Sequence, residues 1–329
     1  MESFTEIRKN IFRVKSPEDF NVLAMQIFHY QARNNPLYGQ FIQQFDIEID
    51  TIKTVNEIPF LPISFFKTHR ILSGHRQPEI VFFSSGTTGM QPSRHEVADI
   101  SLYESSFLKC FRMFYGRITD YCLLALLPFY LSRQGSSLVY MAGRLITKSR
   151  HPFSGFYLDS TDSLLSTLEK LKDSRQPVIL LGVSFALLDI ADRHPLDYPG
   201  LIIMETGGMK GRRKEMIREE LHERLCRGFG VAAVHSEYGM TELLSQAYSR
   251  GNGIFRTPPW MRILIRDAND PLSLAGHHQS GGINIIDLAN IHSCSFIATQ
   301  DLGRSYPDGS FEVLGRFDDS DVRGCNLLV

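Results

Sequence analysis

The chain is expected to fold as an α/β protein built on a largely parallel sheet, and three observations predict this. The apolar runs at 80–83, 122–127, 178–183, 201–204 and 231–234 have the length and continuity of strands covered on both faces. Between them, segments 100–114, 164–171 and 212–226 carry apolar residues at helical spacing. Small-residue turns follow three of the runs: Ser84–Gly89, Thr206-Gly207-Gly208 and Ser236-Glu237-Tyr238-Gly239. Alternating strands and helices argue for helices packed on a parallel sheet. In such sheets ligands collect beyond the carboxyl ends of the strands, so the three turns are expected to converge on one crevice.

The elements follow in order. Ser16-Pro17-Glu18-Asp19 is a helix start, with a capping serine, proline at the first helical position and a carboxylate three residues on. Phe20, Leu23, Ala24, Ile27 and Phe28 then fall on one helical face. Segment 58–63, Ile-Pro-Phe-Leu-Pro-Ile, is too rich in proline for a helix and is expected to lie extended on the surface. Segment 212–226 is laced with Glu and Arg, which predicts a solvated helix face. Beyond Asn252 the pattern shifts to short β-like pieces at 263–265, 283–288 and 311–314, split by Gly, Pro, Asn and Asp, which predicts a smaller β-rich subdomain. The expected division is 1–250 for an α/β core, 251–315 for the β-rich subdomain of the same domain, and 316–329 for a hinge-like stub.

Composition narrows the function classes. With 329 residues, 43% hydrophobic and 22% charged, the chain has the make-up of a globular protein with a large core. A net charge of −1 offers no basic field for nucleic acid or anionic membrane. The longest apolar runs are far too short to span a bilayer, and Met1-Glu2-Ser3-Phe4-Thr5-Glu6 lacks the basic head and apolar stretch of a signal peptide. Five cysteines without C-x-x-C spacing read as reduced thiols of a cytoplasmic protein.

Four separated motifs carry the chemistry. Ser84-Ser85-Gly86-Thr87-Thr88-Gly89 follows a strand; its glycines let backbone approach an anion, and its N–H and hydroxyl groups donate to phosphate oxygens. No Gly-Lys-[Ser/Thr] follows, so it is not a Walker A loop. The others are Glu205-Thr206-Gly207-Gly208-Met209-Lys210-Gly211, Ser236-Glu237-Tyr238-Gly239-Met240-Thr241-Glu242, and Gln300-Asp301-Leu302-Gly303 with the later segment 315–324 that contains Arg316. Taken singly, each also reads as ordinary structure: a strand-to-helix turn at Gly207-Gly208, a core aromatic at Tyr238, a turn residue at Asp301, a solvated linker around Asp318 and Arg323.

In order and spacing, the four motifs resemble the adenylate-forming superfamily of acyl- and aryl-CoA ligases. The branch they are most similar to is that of the acyl-protein synthetases of the LuxE type, which supply fatty acid to the bioluminescence reductase and are related to phenylacetate–CoA ligase. Asn34-Asn35-Pro36-Leu37-Tyr38, segment 58–67 and Ser136-Ser137-Leu138-Val139-Tyr140-Met141 look like that branch too. The resemblance implies activation of a carboxylic acid, of the fatty class, by ATP and Mg²⁺ to acyl-AMP, then transfer to a protein or carrier thiol. The alternatives it implies are a coenzyme A ligase of the phenylacetate type and a non-catalytic nucleotide- or acyl-binding subunit. It also implies the roles. Ser84, Ser85, Gly86, Thr87, Thr88 and Gly89 cradle the β- and γ-phosphates. Gly207 and Gly208 lie against adenine, and Tyr238 and Gly239 form the loop on which it stacks. Thr241 contacts the α-phosphate, Glu242 holds Mg²⁺, Asp301 accepts from the ribose hydroxyls, and Arg316 contacts ribose or phosphate.

The pattern departs from the superfamily in two places. Pro92 is followed by Ser93-Arg94 where a lysine is usual, which leaves Arg94 or Lys67 to supply charge. The lid domain that follows the hinge in the superfamily is expected to be absent or vestigial here. Leu126-Leu127-Pro128-Phe129-Tyr130 and the segment around Val183-Ser184-Phe185 are candidate walls of an acyl tunnel, and read equally as core. Cys294 and Cys325 read as structural.

Overall fold

The computed structural model describes residues 4–85, 91–127, 135–157, 160–207 and 216–317. Within these, the helices and strands come in the following order. The first stretch holds α1 (Phe4–Asn10), α2 (Pro17–Asn34), α3 (Pro36–Gln43), β1 (Leu61–Pro62), α4 (Phe65–Thr68), β2 (Ile80–Phe83), β3 (Arg94–Val97) and α5 (Ile100–Tyr115). Next come β4 (Cys122–Leu126), α6 (Ser137–Ser149), β5 (Gly155–Phe156), α7 (Thr161–Lys172), β6 (Val178–Val183), α8 (Ser184–Arg193) and β7 (Leu201–Thr206). The last are α9 (Arg218–Phe229), β8 (Val234–Tyr238), β9 (Ala247–Ser249), β10 (Ile254–Arg256), β11 (Met261–Arg266), β12 (Ser280–Asp287), β13 (Phe296–Ser305) and β14 (Phe311–Arg316).

The chain forms two compact units that interleave along the sequence. One takes its residues from 80–94 and 103–255, the other from 1–79, 95–102 and 256–329.

The first of these is the α/β unit the apolar runs predict. Its strands lie in the order β9-β8-β7-β6-β4-β5. All neighbours from β8 to β5 are parallel, and β9 closes antiparallel on β8. Strands β4 and β6 are buried at every residue, as strands flanked by helices must be. Helices α8 and α9 pack on each other, and Gly228 makes the contact possible: a Cβ there would strike the backbone of Ala191. Gly230, at φ +67°, ends α9 in the left-handed conformation that glycine adopts without strain.

The other unit holds an antiparallel run β11-β12-β13-β14, with β1 added parallel to β13. The predicted cap of α2 is present. Ser16 Oγ accepts from Asp19 N at 3.1 Å, and Asp19 Oδ2 accepts from Ser16 N at 3.2 Å. The face Phe20, Leu23, Ala24, Ile27 and Phe28 is buried. Asn35 caps α3 by accepting from Tyr38 N, and the Tyr38 hydroxyl donates to Pro59 O at 2.6 Å. Tyr38 stacks on Phe296, with Phe28 at the edge of both rings.

Three expectations are corrected. The run 58–63 is extended but not superficial: Ile58, Phe60 and Leu61 are buried, and Leu61–Pro62 pairs with Ile297 and Ala298. Proline is tolerated there because β1 pairs on one side only. Strand 80–83 joins β3 in a separate two-stranded ribbon, and Phe83 stays largely exposed. The run 231–234 is not the strand; β8 begins at Val234 and carries Ser236, Glu237 and Tyr238 inside it. Gly230 and the turn after it take up the apolar residues that mimic a strand.

Candidate functional site

Ser84 closes the base of the first motif. Its N–H donates to Ser93 O at 3.0 Å, and its Oγ accepts from Ser93 N at 2.8 Å. Because the hydroxyl oxygen is used as acceptor, its hydrogen remains available to a ligand oxygen. Ser85 beside it is exposed. Gly86, Thr87, Thr88 and Gly89 lie outside the described residues, as does Gly208.

Gly207 sits at the carboxyl end of β7 with φ +68°, a conformation that disfavours any side chain. Its carbonyl accepts from Ser184 Oγ at 2.7 Å, which ties the turn to the start of α8. Ser184 Oγ also lies 3.1 Å from Glu205 Oε2. Glu205 is buried, with Arg218 Nη1 at 3.2 Å and His222 Nε2 at 3.6 Å. Burial pushes its carboxyl pKa up, but His222, the Arg218 charge and Ser236 outweigh that and hold it below the usual range.

One strand over, Tyr238 ends β8 and is buried with its ring edge-on to Phe255, centroids 5.9 Å apart. Arg218 stands 5.0 Å over the other partner, the Phe255 ring. The edge-on packing on Phe255 holds the Tyr238 ring in one orientation. Gly239 is exposed, Thr241 half-buried and Glu242 buried. All of these residues belong to the α/β unit; Gly207 and Tyr238 stand at the ends of the adjacent parallel strands β7 and β8, and Gly239, Thr241 and Glu242 follow β8 in the chain.

Asp301 and Arg316 belong to the other unit. They pair in register across β13 and β14, and Arg316 Nε donates to Asp301 Oδ1 at 3.1 Å. Asp301 is buried while the Arg316 side chain is 75% exposed.

Sequence reasoning quoted Glu237 within a motif but assigned it no role. The structure shows it buried, accepting from Thr206 Oγ1 at 2.5 Å across the β7–β8 pair. Burial and the nearby Glu205 raise its carboxyl pKa to about 7, in spite of the Thr206 hydrogen bond. The sequence placed Glu237 in a turn after 231–234, and only the strand at Val234–Tyr238 reveals it as a carboxylate inside a strand. The cysteines expected to be structural behave so where they are described: burial pushes the Cys294 thiol up to about 12, far from a reactive thiolate. Cys325 lies outside the described residues.

Magnesium needs oxygen ligands and keeps several waters and phosphate oxygens in its shell. Glu242, a buried carboxylate after β8, is of the hard-oxygen type that could serve as one such ligand. Among the described residues no cluster of three His, Cys, Asp or Glu could hold a metal ion.

The comparisons come from solved structures. The chain matches ATP-bound MatB from Rhodopseudomonas palustris at TM-score 0.54 and 17% identity, over 74% of this chain and 49% of that one. It matches 2-hydroxyisobutyryl-CoA ligase, in an open conformation with 2-HIB-AMP and CoA, at TM-score 0.65 and 14% identity, over 93% of this chain and 72% of that one. The chain thus spans about half the length of the MatB structures it matches. No family model and no curated protein matches. The fold is therefore that of the adenylate-forming domain, a mixed α/β architecture with a large sheet and flanking helices. Among the described residues no helix is long and apolar enough to cross a membrane.

Proposed function

We propose that this chain activates a carboxylic acid with ATP. A carboxylate oxygen attacks the α-phosphorus, the bond from that phosphorus to the bridging oxygen breaks, and pyrophosphate leaves with the electron pair. In the second step a thiolate attacks the acyl carbonyl carbon, and AMP leaves with the electrons of the acyl–phosphate bond. The observation that carries this reading is the placement of Gly207 and Tyr238 at the paired ends of β7 and β8, with Gly239, Thr241 and Glu242 following β8, in a chain with the fold of ligases crystallised with ATP or an acyl-AMP.

The roles are those that the resemblance to adenylate-forming ligases implies for these residues. Ser84 and Ser85, with Gly86, Thr87, Thr88 and Gly89, donate to the β- and γ-phosphates. Gly207 and Gly208 lie against adenine, and Tyr238 stacks on it. Thr241 donates to the α-phosphate, where charge develops during attack. Glu242 holds Mg²⁺, which would neutralise phosphate charge when bound. Asp301 accepts from ribose hydroxyls, and Arg316 binds ribose or phosphate. None of these groups is a nucleophile, which suits a reaction governed by positioning and charge.

The resemblance to acyl-protein synthetases supports a fatty acid as substrate, a protein or carrier thiol as acceptor and a cytoplasmic setting. A second reading has support of its own: the 2-hydroxyisobutyryl-CoA ligase complex contains CoA, which favours free coenzyme A as the thiol.

ATP–pyrophosphate exchange across a panel of fatty, hydroxy and aromatic acids tests the first step. Exchange should appear with some acids and fall at least about a hundredfold in Thr241→Ala and Glu242→Gln. Folded protein that binds ATP but exchanges with no acid would convert the reading to a non-catalytic binding subunit. Comparing coenzyme A with carrier proteins as acceptors separates the two thiol readings.

A further inference from the structure

Beside Gly239 lie a carboxylate oxygen of Glu237 and the side chain of Gln246, whose amide oxygen is buried with no hydrogen-bond partner among the described residues. A Cβ placed on Gly239 would meet Glu237 Oε1 at 2.5 Å and Gln246 Cγ at 3.4 Å. Glu237 is 7% exposed, its Oε2 accepts from Thr206, and its Oε1 is the atom turned toward Gly239. Gln246 is 3% exposed, and its Oε1 is buried without a hydrogen-bond partner. A buried acceptor left unmade costs free energy, so the Gln246 amide oxygen, with the Glu237 carboxylate beside the same exposed glycine, forms an unfilled requirement for a donor.

Strand geometry says which ligand supplies it. Side chains alternate across a sheet, so Tyr238 faces away from Glu237. The contacts agree. Tyr238 packs on Phe255, over which Arg218 stands, whereas Glu237 bonds Thr206 and pairs in register with Tyr248, which packs on Phe114 and Tyr115 of α5. Cys110 of α5 also donates to the Gln246 backbone carbonyl, and Gln246 stands two residues before Tyr248 on the same strand face. A purine stacked on Tyr238 belongs to one face of the β8 end, and the Glu237 carboxylate and the unpartnered Gln246 amide oxygen lie at the other.

We infer that Glu237 and Gln246 form a subsite for a hydroxyl or amino group carried by the acid substrate, so that the acid activated is a hydroxy or amino acid in place of a plain alkyl acid. This rests on the reading of the chain as an acid-activating enzyme. An ammonium at this place would also compensate the buried carboxylate, which a methylene cannot do.

Direct binding tests the inference independently of catalysis. Matched acid pairs of equal chain length, with and without a hydroxyl or amino group, are titrated by calorimetry against the full-length wild type, Glu237→Ala and Gln246→Leu, and the same pairs are run in pyrophosphate exchange. Wild type should favour the donor-bearing member by at least about tenfold, as sites built to hydrogen-bond a substrate group reject the analogue lacking it. Both variants should bring that ratio toward one with ATP affinity unchanged. Equal binding of both members by wild type, or a ratio the folded variants do not alter, overturns the inference. If instead the variants erase a preference for ATP over purine riboside triphosphate, which lacks the adenine amine, the donor is adenine and the acid assignment falls. Failure of all exchange with the binding preference intact would count against the catalytic reading alone.

Discussion

Arg316 donates to Asp301 across β13 and β14, joining in one ion pair two residues that the motif order had assigned to the same nucleotide. The carboxylate is buried and the guanidinium largely exposed, so the pair orients Asp301 while leaving Arg316 most of its donors.

A half-exposed pair of this kind contributes only ~0–1 kcal/mol to stability. Arg316→Ala should therefore leave the denaturation midpoint nearly unchanged while weakening ATP binding about tenfold, about 1.4 kcal/mol. Calorimetry with ATP and a urea titration on the same variant check both halves. Unchanged ATP affinity would leave the pair a structural feature.

The Thr206–Glu237 contact predicts a pH dependence of stability. The carboxyl pKa is raised from 4.5 to about 7 in the folded chain. Below pH 4.5 the group is protonated folded and unfolded, and its contribution is fully present. As pH climbs through about 7 the folded state must hold a buried charge, with Glu205 on the neighbouring strand and Thr206, Tyr103, Tyr115 and Tyr248 around it among the described residues, and that contribution is lost. Glu237→Gln should thus be more stable than wild type above neutrality, by on the order of 1–3 kcal/mol, and no more stable near pH 4.5. Denaturant titrations at the two pH values measure it. A gain that is equal at both would remove burial of the charge as its cause.

Gly239 and Glu237 should be coupled. Because a Cβ on Gly239 meets the Glu237 carboxyl, Gly239→Ala displaces that side chain and should lower exchange activity. In a Glu237→Ala background the same change should cost much less, with a coupling energy of about 1 kcal/mol or more from the double-mutant cycle. Additive effects would show that the alanine acts on Thr241 and Glu242 without passing through Glu237.

Tyr38 anchors the other unit. Its hydroxyl donates to Pro59 O, and its ring is wholly buried between Phe28 and Phe296. Tyr38→Phe should cost about 1–3 kcal/mol by leaving that carbonyl unpaired, and Tyr38→Ala about 3–5 kcal/mol by opening a cavity. Thermal unfolding of both variants gives the order. Equal losses would mean the ring contributes nothing beyond its hydroxyl.

The α/β class, the cap at Ser16 and the buried strands at 122–126 and 178–183 were legible in the sequence, because periodicity and capping are local properties of a chain. The run 231–234 misled for the same reason: four apolar residues satisfy a strand pattern, and only the turn at Gly230 and pairing with β7 put the strand at 234–238. β13, which carries Asp301, passed unnoticed because its alternation is broken by Gln300, Gly303 and Arg304, and its partners β12 and β14 are what stabilise it. The motif residues were found by type and order. Neither type nor order could say that Arg316 would bond Asp301, that Thr206 would serve Glu237, or that Gln246 would be buried without a donor, since those contacts join residues distant in sequence. Local propensity lies in the sequence order; which polar groups end up paired, and which remain to take a ligand, is settled only when strands come into register.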